Sequence, residues 1–223
     1  MRKVAIVEFL SVDGVMQGLG SPEEDRDGGF EHGGWGAPYG AAVGEVLSPD
    51  VGAHTSAYVM GRRTYQKMAE FWPTQPDTNP MAASLNSTPK HVATRTLDDL
   101  AWSGASVLEG DVIEAVAGLK AEGKGTIVAL GSGDLVRQLM SAGLVDELRL
   151  FVHPLLLGTG KRLFGDLPSP CSLRLEDIAS TSLGTVALTY AVGQSISSTP
   201  STSSSSSSPG GAGSLAAADQ PAR

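Results

Sequence analysis

Residues 126–140 read TIVALGSGDLVRQLM, an apolar run that breaks at Gly131-Ser132-Gly133 and resumes with helical spacing. The first half, Thr126 to Leu130, is short, β-branched and continuous, as suits a strand buried on both faces of a sheet. In the second half Leu135, Val136, Leu139 and Met140 fall on one helical face. The glycines therefore sit at a strand-to-helix junction, where unpaired backbone N–H groups and the positive end of a helix dipole can meet an anion. The dinucleotide fingerprint is not met, because Val136 stands where a third small residue is needed and the residues around Phe151, where an acid is required about 20 positions on, are apolar. Asp134 steadies a helix start but repels a phosphate. A capped turn and an anion cradle are both open readings of this stretch taken alone.

Working outward, strand patterns occur at residues 3–10, 56–60, 90–93, 105–108, 126–130, 147–153 and 185–191. Helical patterns fall between several of them, at 41–47, 63–70, 111–121 and 133–142, the third with Asp111 placed to cap it. Such alternation predicts an α/β sheet. The C-terminal part changes character: Leu148, Leu150 and Val152 alternate with Glu147, Arg149 and Phe151, and a hairpin-like pair flanks Gly184. A mostly parallel sheet is thus expected to finish with antiparallel strands. Residues 11–40, SVDGVMQGLGSPEEDRDGGFEHGGWGAPYG, connect the first strand to the first helix without a periodicity of their own. Connections of this length are typically lids or binding loops, and Phe30, Trp35 and Tyr39 are aromatics able to cover a ligand.

The 223 residues contain 41% hydrophobic residues, enough for one substantial core. From 194 the chain runs SISSTPSTSSSSSSPGGAGSLAAADQPAR with almost nothing to bury, so the expected organisation is one domain over 1–193 and a disordered tail over 194–223. A net charge of -8 argues against general binding to nucleic acid or to an anionic membrane. Cys171 is the single cysteine, which excludes an internal disulfide, and the four histidines lack metal-site spacing. No stretch is long and apolar enough to span a membrane, and residues 1–14 lack a signal-peptide pattern, so a cytoplasmic protein is expected. Serine-hydrolase elbows and triphosphate-binding loops are also absent.

Three junctions point the same way. The second strand runs into Gly61-Arg62-Arg63-Thr64-Tyr65, putting two guanidinium groups and a hydroxyl at a helix start. The third ends in Thr94-Arg95, and the fifth in the glycine pair. In open α/β sheets ligands bind beyond the carboxyl ends of strands, so these residues meet at one edge. An otherwise acidic chain that gathers Arg62, Arg63 and Arg95 there is suited to a ligand carrying several phosphates.

Taken in order, Ser11-Val12-Asp13-Gly14, Gly61 to Tyr65, Thr94-Arg95, Gly131 to Gly133, Gly143-Leu144-Val145-Asp146-Glu147-Leu148 and Pro154-Leu155-Leu156-Leu157-Gly158-Thr159-Gly160 resemble the dihydrofolate reductase-like superfamily. The resemblance is specifically to the group related to the C-terminal reductase domain of riboflavin biosynthesis, RibD, and covers about residues 3–192. It implies a dihydrofolate reductase-like three-layer α/β sandwich and an NADPH-dependent oxidoreductase acting on a small heterocycle. On that pattern Arg62, Arg63 and Thr64 hold the pyrophosphate and adenosine phosphates, and Thr94 and Arg95 meet the 2′-phosphate. Gly61 opens the first of these turns. Gly131, Ser132, Gly133, Asp134 and Leu135 bring backbone near the diphosphate and nicotinamide ribose, while Phe9 and Met16 lie near the nicotinamide. The candidate proton donors are Asp13 and Glu45. Relatives with this fold often pair, and the apolar stretch LRLFVHPLLL makes a homodimer the expected assembly.

Overall fold

The computed structural model describes residues 1–47, 52, 54–165 and 167–195. Eight strands form one sheet: β1 (Lys3–Ser11), β2 (Thr55–Gly61), β3 (Lys90–Ala93), β4 (Ala105–Val107), β5 (Thr126–Leu130), β6 (Glu147–His153), β7 (Cys171–Ser180) and β8 (Val186–Ser195). Their spatial order is β4-β3-β2-β5-β1-β6-β8-β7. All neighbours from β4 to β6 pair in parallel, and β8 pairs antiparallel with both β6 and β7. The helices are α1 (Gly40–Val43), α2 (Arg62–Phe71), α3 (Pro80–Ser87), α4 (Val112–Ala121) and α5 (Gly133–Ser141).

Three layers follow from the alternation of side chains along β1. Val4, Ile6 and Leu10 face one way and join Val116 of α4 with Leu135, Val136 and Leu139 of α5 in one apolar cluster. Val7 faces the other way, into a cluster with Val43 of α1, Tyr65 of α2 and Leu85 of α3. We call these the α5 face and the α2 face. Leu139 is fully buried, so its truncation to alanine costs about 2–5 kcal/mol.

Two elements differ from expectation. The first helix, read over 41–47, ends after Val43, where Gly44 and a turn intervene and the Glu45 side chain reaches out to Ser182. Residues 80–87 form a helix that hydrophobic period alone does not reveal; Asn79 caps it, accepting from the N–H groups of Met81 and Ala82, and Pro80 opens it. β7 turns the hairpin around Gly184 into a ten-residue edge strand. Of the stretch read as a tail, Gln194 and Ser195 continue the backbone of β8, and the remainder lies outside the described residues. No helix among the described residues is long and apolar enough to cross a membrane.

Candidate cofactor and substrate site

β3, β2, β5 and β1 are adjacent and parallel, so their carboxyl ends share one edge of the sheet. Two helices start there. Gly61 precedes α2 and Ser132 precedes α5, and neither helix has a side-chain cap at its N-terminus. The first-turn N–H groups that such a cap would satisfy therefore point toward whatever occupies the edge.

Ser132 ties the two starts together. Its hydroxyl oxygen accepts from the Gly61 N–H at 2.8 Å and lies 2.8 Å from Thr64 Oγ1. The cost is local: Ser132 is the one non-glycine residue with positive φ, at 63°, among the described residues. Gly131 also lies in the left-handed region, at 51°, and a Cβ there would come within 3.3 Å of Thr64. At Gly133 a Cβ would lie 2.6 Å from Met16 Sδ, so only glycine lets the loop residue Met16 press on the start of α5. At both positions the absence of a side chain permits close approach at this edge of the sheet.

The cations differ in availability. Arg62 and Arg95 are exposed and form no ion pair among the described residues, Asp98 and Asp99 included. Thr94 Oγ1 accepts from the N–H groups of Thr96 and Leu97, closing the turn that carries Arg95. Arg63 is engaged: its guanidinium binds Asp27 of the long connection and lies 4.0 Å from Asp25. Lys161 completes the cluster, 2.7 Å from Asp25 and 2.8 Å from Asp27. Arg63 and then Lys161 hold the Asp27 carboxyl down at about 2. Asp134 binds Arg137 in the next turn, which lowers its repulsion of an anion, and Leu135 is buried, so only its backbone is available at the edge.

Asp13 and Glu45 are occupied elsewhere. The Asp13 carboxylate accepts from Ser11 Oγ at 2.6 Å, from the N–H groups of Leu157 and Gly158, and from Arg162. These bonds, Ser11's first, hold it far below the usual carboxylate range and anchor residues 157–162 to the end of β1. Glu45 accepts from the N–H and hydroxyl of Ser182, which also lower its pKa, and fixes the β7–β8 turn. Both are ionised at neutral pH, a poor state for donating a proton.

Phe9 and Met16 lie on opposite sides of β1. Met16 packs against the α5-face cluster, whereas Phe9 stacks on Phe151 at 4.8 Å on the α2 face. A small cleft there is lined by Val7, Phe9, Leu130, Arg149 and Phe151 from the sheet, with Leu47 and Met81 above. The loop aromatics divide as well. Phe30 and Trp35 are buried with Val15 rather than spread over a ligand, and Tyr39 stacks on His153 at 4.8 Å. His153 Nδ1 and Thr185 Oγ1 are 2.8 Å apart, and burial depresses the imidazole's pKa.

Sequence reasoning passed over Glu8, Arg149, Lys161 and His153. Glu8 is 4% exposed on the α5 face beside Leu150, and its Oε2 has no hydrogen-bond partner among the described residues. Burial raises its pKa to about 8, against a weaker lowering by the Phe9 N–H. An acid at an inward position of an otherwise apolar strand is the signal that marks it.

The sheet is parallel where two uncapped helices start at adjacent strand ends, and an antiparallel pair closes it. The chain belongs to the RibD C-terminal domain family. The family model, described as the RibD C-terminal domain, matches residues 2–189. YyaP of Bacillus subtilis (strain 168), an uncharacterised protein, is 29% identical over 153 residues, covering 65% of this chain and 81% of YyaP. Among solved structures, a Shewanella sp. PV-4 protein assigned provisionally to riboflavin biosynthesis has TM-score 0.60 and 20% identity, covering 86% of this chain and 99% of that one. A pyrimidine reductase-like protein of Corynebacterium diphtheriae has TM-score 0.56 and 17% identity, with 86% and 92% covered. Dihydrofolate reductase of Enterococcus faecalis, solved with NADP(H) and RAB-propyl, has TM-score 0.52 and 16% identity, with 86% and 97% covered. The RibD C-terminal domain chain thus has the dihydrofolate reductase-like fold.

Proposed function

We propose that this RibD C-terminal domain chain is an NADPH-dependent reductase that transfers a hydride to a small heterocycle, of the kind reduced in riboflavin biosynthesis or by dihydrofolate reductase. Family membership supports the reductase class, and the dihydrofolate reductase neighbour with NADP(H) supports the cofactor. The observation that carries the reading is the joined start of α2 and α5: two uncapped helix N-termini, linked through Ser132, with Arg62 in the first turn of α2 and Arg95 after β3 forming no ion pair among the described residues. The residues fit the group. Arg62, Arg63 and Thr64 would hold its phosphates, Thr94 and Arg95 the 2′-phosphate, and the backbone of Gly131 to Leu135 would approach the diphosphate.

When bound, the cofactor supplies the hydride. The protein's part is to hold two rings in register and to keep water out. Met16, wedged against Gly133, and the Asp13-anchored segment 157–162 close the cofactor side, while Phe9 and Phe151, stacked on one another, line the other. Domain limits of 1–193 and a homodimer belong to the same proposal.

NADPH is expected to raise the melting temperature and quench tryptophan fluorescence more than NADH does. Arg95→Ala is expected to raise the Kd for NADPH roughly tenfold, about 1.4 kcal/mol, while leaving that for NADH unchanged. An equal response to both cofactors in the native protein would defeat the assignment of Arg95. Because Asp13 and Glu45 are both engaged in fixing the chain, a second reading is a non-catalytic nucleotide-binding protein on this fold. Binding of NADPH without oxidation across a panel of pteridines and aminopyrimidines would favour it; steady oxidation with any of them rejects it.

A further inference from the structure

β1 and β5 part before the sheet ends. β5 stops at Leu130, opposite Val7, whereas β1 runs on to Ser11 beside β6. Odd-numbered residues of β1 turn their backbone toward β5, as the bond from the Lys3 N–H to the Gly125 carbonyl shows. Even-numbered ones turn toward β6, where the Val4 carbonyl accepts from Asp146. The Phe9 N–H therefore faces the side that β5 has left, and its acceptor there is Glu8 Oε1, at 3.2 Å. This sets the Glu8 carboxyl at the gap between β1 and the Gly131–Gly133 turn, on the face shared with Met16 and α5. Glu8 is nearly inaccessible, and Oε2 has no partner among the described residues. The cations on the elements around this face are engaged: Arg26 with Glu23, Lys120 with Asp146, Arg137 with Asp134, Lys161 with Asp25 and Asp27, and Arg162 with Asp13. Glu24 of the connection and Glu114 of α4 add acids, not bases. Burial and, to a lesser degree, the charge of Glu24 raise the Glu8 pKa to about 8 against the lowering by the Phe9 N–H, so the carboxyl is neutral at pH 7.

We propose that Glu8 is the residue by which the site distinguishes the oxidised from the reduced nicotinamide. The inference rests on the cofactor reading of the strand ends, which lays the diphosphate along Gly131 to Leu135 and the ring in the adjoining gap between Phe9 and Met16. The two forms differ there by one charge. The dihydropyridine ring is neutral, and the pyridinium ring that remains once a hydride has left is a cation with no N–H on the ring. A neutral carboxyl matches the first. An ionised one matches the second, because a buried carboxylate with a free oxygen and no cation of its own gains most from a positive ring beside it. Binding of the oxidised form thus sends the Glu8 proton to solvent, and binding of the reduced form leaves it in place. At neutral pH the resting site is set for the reduced cofactor, and rising pH moves the preference toward the oxidised one.

Three ligands that share the 2′-phosphate test this: NADPH, NADP⁺ and 2′,5′-ADP, which lacks the nicotinamide. Because the phosphates are common, their own titration cancels in the ratio of the NADPH and NADP⁺ dissociation constants. Between about pH 6.5 and pH 9 that ratio is expected to move about tenfold in favour of NADP⁺, the effect of a shift of roughly one unit in the Glu8 pKa. In Glu8→Gln it is expected to stay within about twofold over the same range, with 2′,5′-ADP bound as by the native protein, which shows that the variant folds. On the native protein alone, a pH-indicator dye near pH 7.5 is expected to record more proton release on binding NADP⁺ than on binding NADPH. A ratio that does not change with pH, equal proton release, or a pH-dependent ratio that survives Glu8→Gln overturns the proposal while leaving the cofactor reading intact. Failure of the native protein to bind NADPH, NADP⁺ and 2′,5′-ADP strikes the cofactor reading itself and this proposal with it, so the two failures are told apart.

Discussion

Glu8 gives the stability of the fold a pH dependence. Its folded pKa is near 8 and its ordinary value 4.5, because burial disfavours the ionised form. The sign follows from linkage. Below about pH 4.5 the carboxyl is protonated in both states and costs nothing. Between 4.5 and 8 the unfolded chain ionises first, so stability falls as pH rises, at up to about 1.4 kcal/mol per unit. Above 8 the loss is complete. Replacing Glu8 by glutamine removes this slope, so the variant is expected to gain stability over the native protein between about pH 5 and pH 8 by a few kcal/mol in urea melts. A constant difference across that range would show that Glu8 does not titrate as a buried acid. At this scale the sequence was only partly readable. Arg62, Arg95 and the glycines at 131 and 133 stood out because they collect at the carboxyl ends of strands in an otherwise acidic chain. Asp13 and Glu45 could be named from the sequence as candidate acids, but not their partners Leu157, Gly158 and Ser182, which lie more than 130 positions away where no local pattern forecasts a contact.

At the scale of elements, the connection over 11–40 is held to the head of α2. Gln17 accepts from the Lys161 N–H and donates to the carbonyls of Asp25 and Asp27, so both acids are presented to Arg63 and Lys161. A carboxylate thus occupies the guanidinium that the proposed cofactor would use. Binding must part Arg63 from Asp27, and Asp27→Asn is expected to tighten NADPH roughly threefold, a modest gain because the pair is largely exposed. The measurement is a fluorescence titration at low salt. Weaker binding would mean that Asp27 helps to close the site instead. The strands were legible because parallel strands buried on both faces are nearly continuous apolar runs. α3 was not, since its low amphipathicity leaves Asn79 and Pro80 as its signals, and β7 was legible only as one arm of the hairpin-like pair around Gly184, because its side chains are mostly exposed and lack a buried face to impose alternation.

For the whole molecule, the β6 part of the apolar stretch that suggested a dimer serves the core, while Leu156 beyond it is exposed. β6 lies between β1 and β8, with most of its residues buried. A surface available for pairing is β7, whose outer edge has no strand beside it among the described residues and which exposes Leu173, Leu175 and Ile178 at 41%, 48% and 59%. On the proposed homodimer, two copies of β7 meet about a twofold axis. Sedimentation is expected to give a dimer at micromolar concentration and a monomer for Leu175→Lys, with the Arg95 phenotype unaffected; a native monomer removes the assembly. β1 carries a different lesson. It is a partition one residue thick, since Glu8 and Phe9 are consecutive yet look into separate halves of the protein. Deleting one residue from the beginning of this strand would exchange those halves, setting a carboxyl against the aromatic wall and a phenyl ring beneath α5.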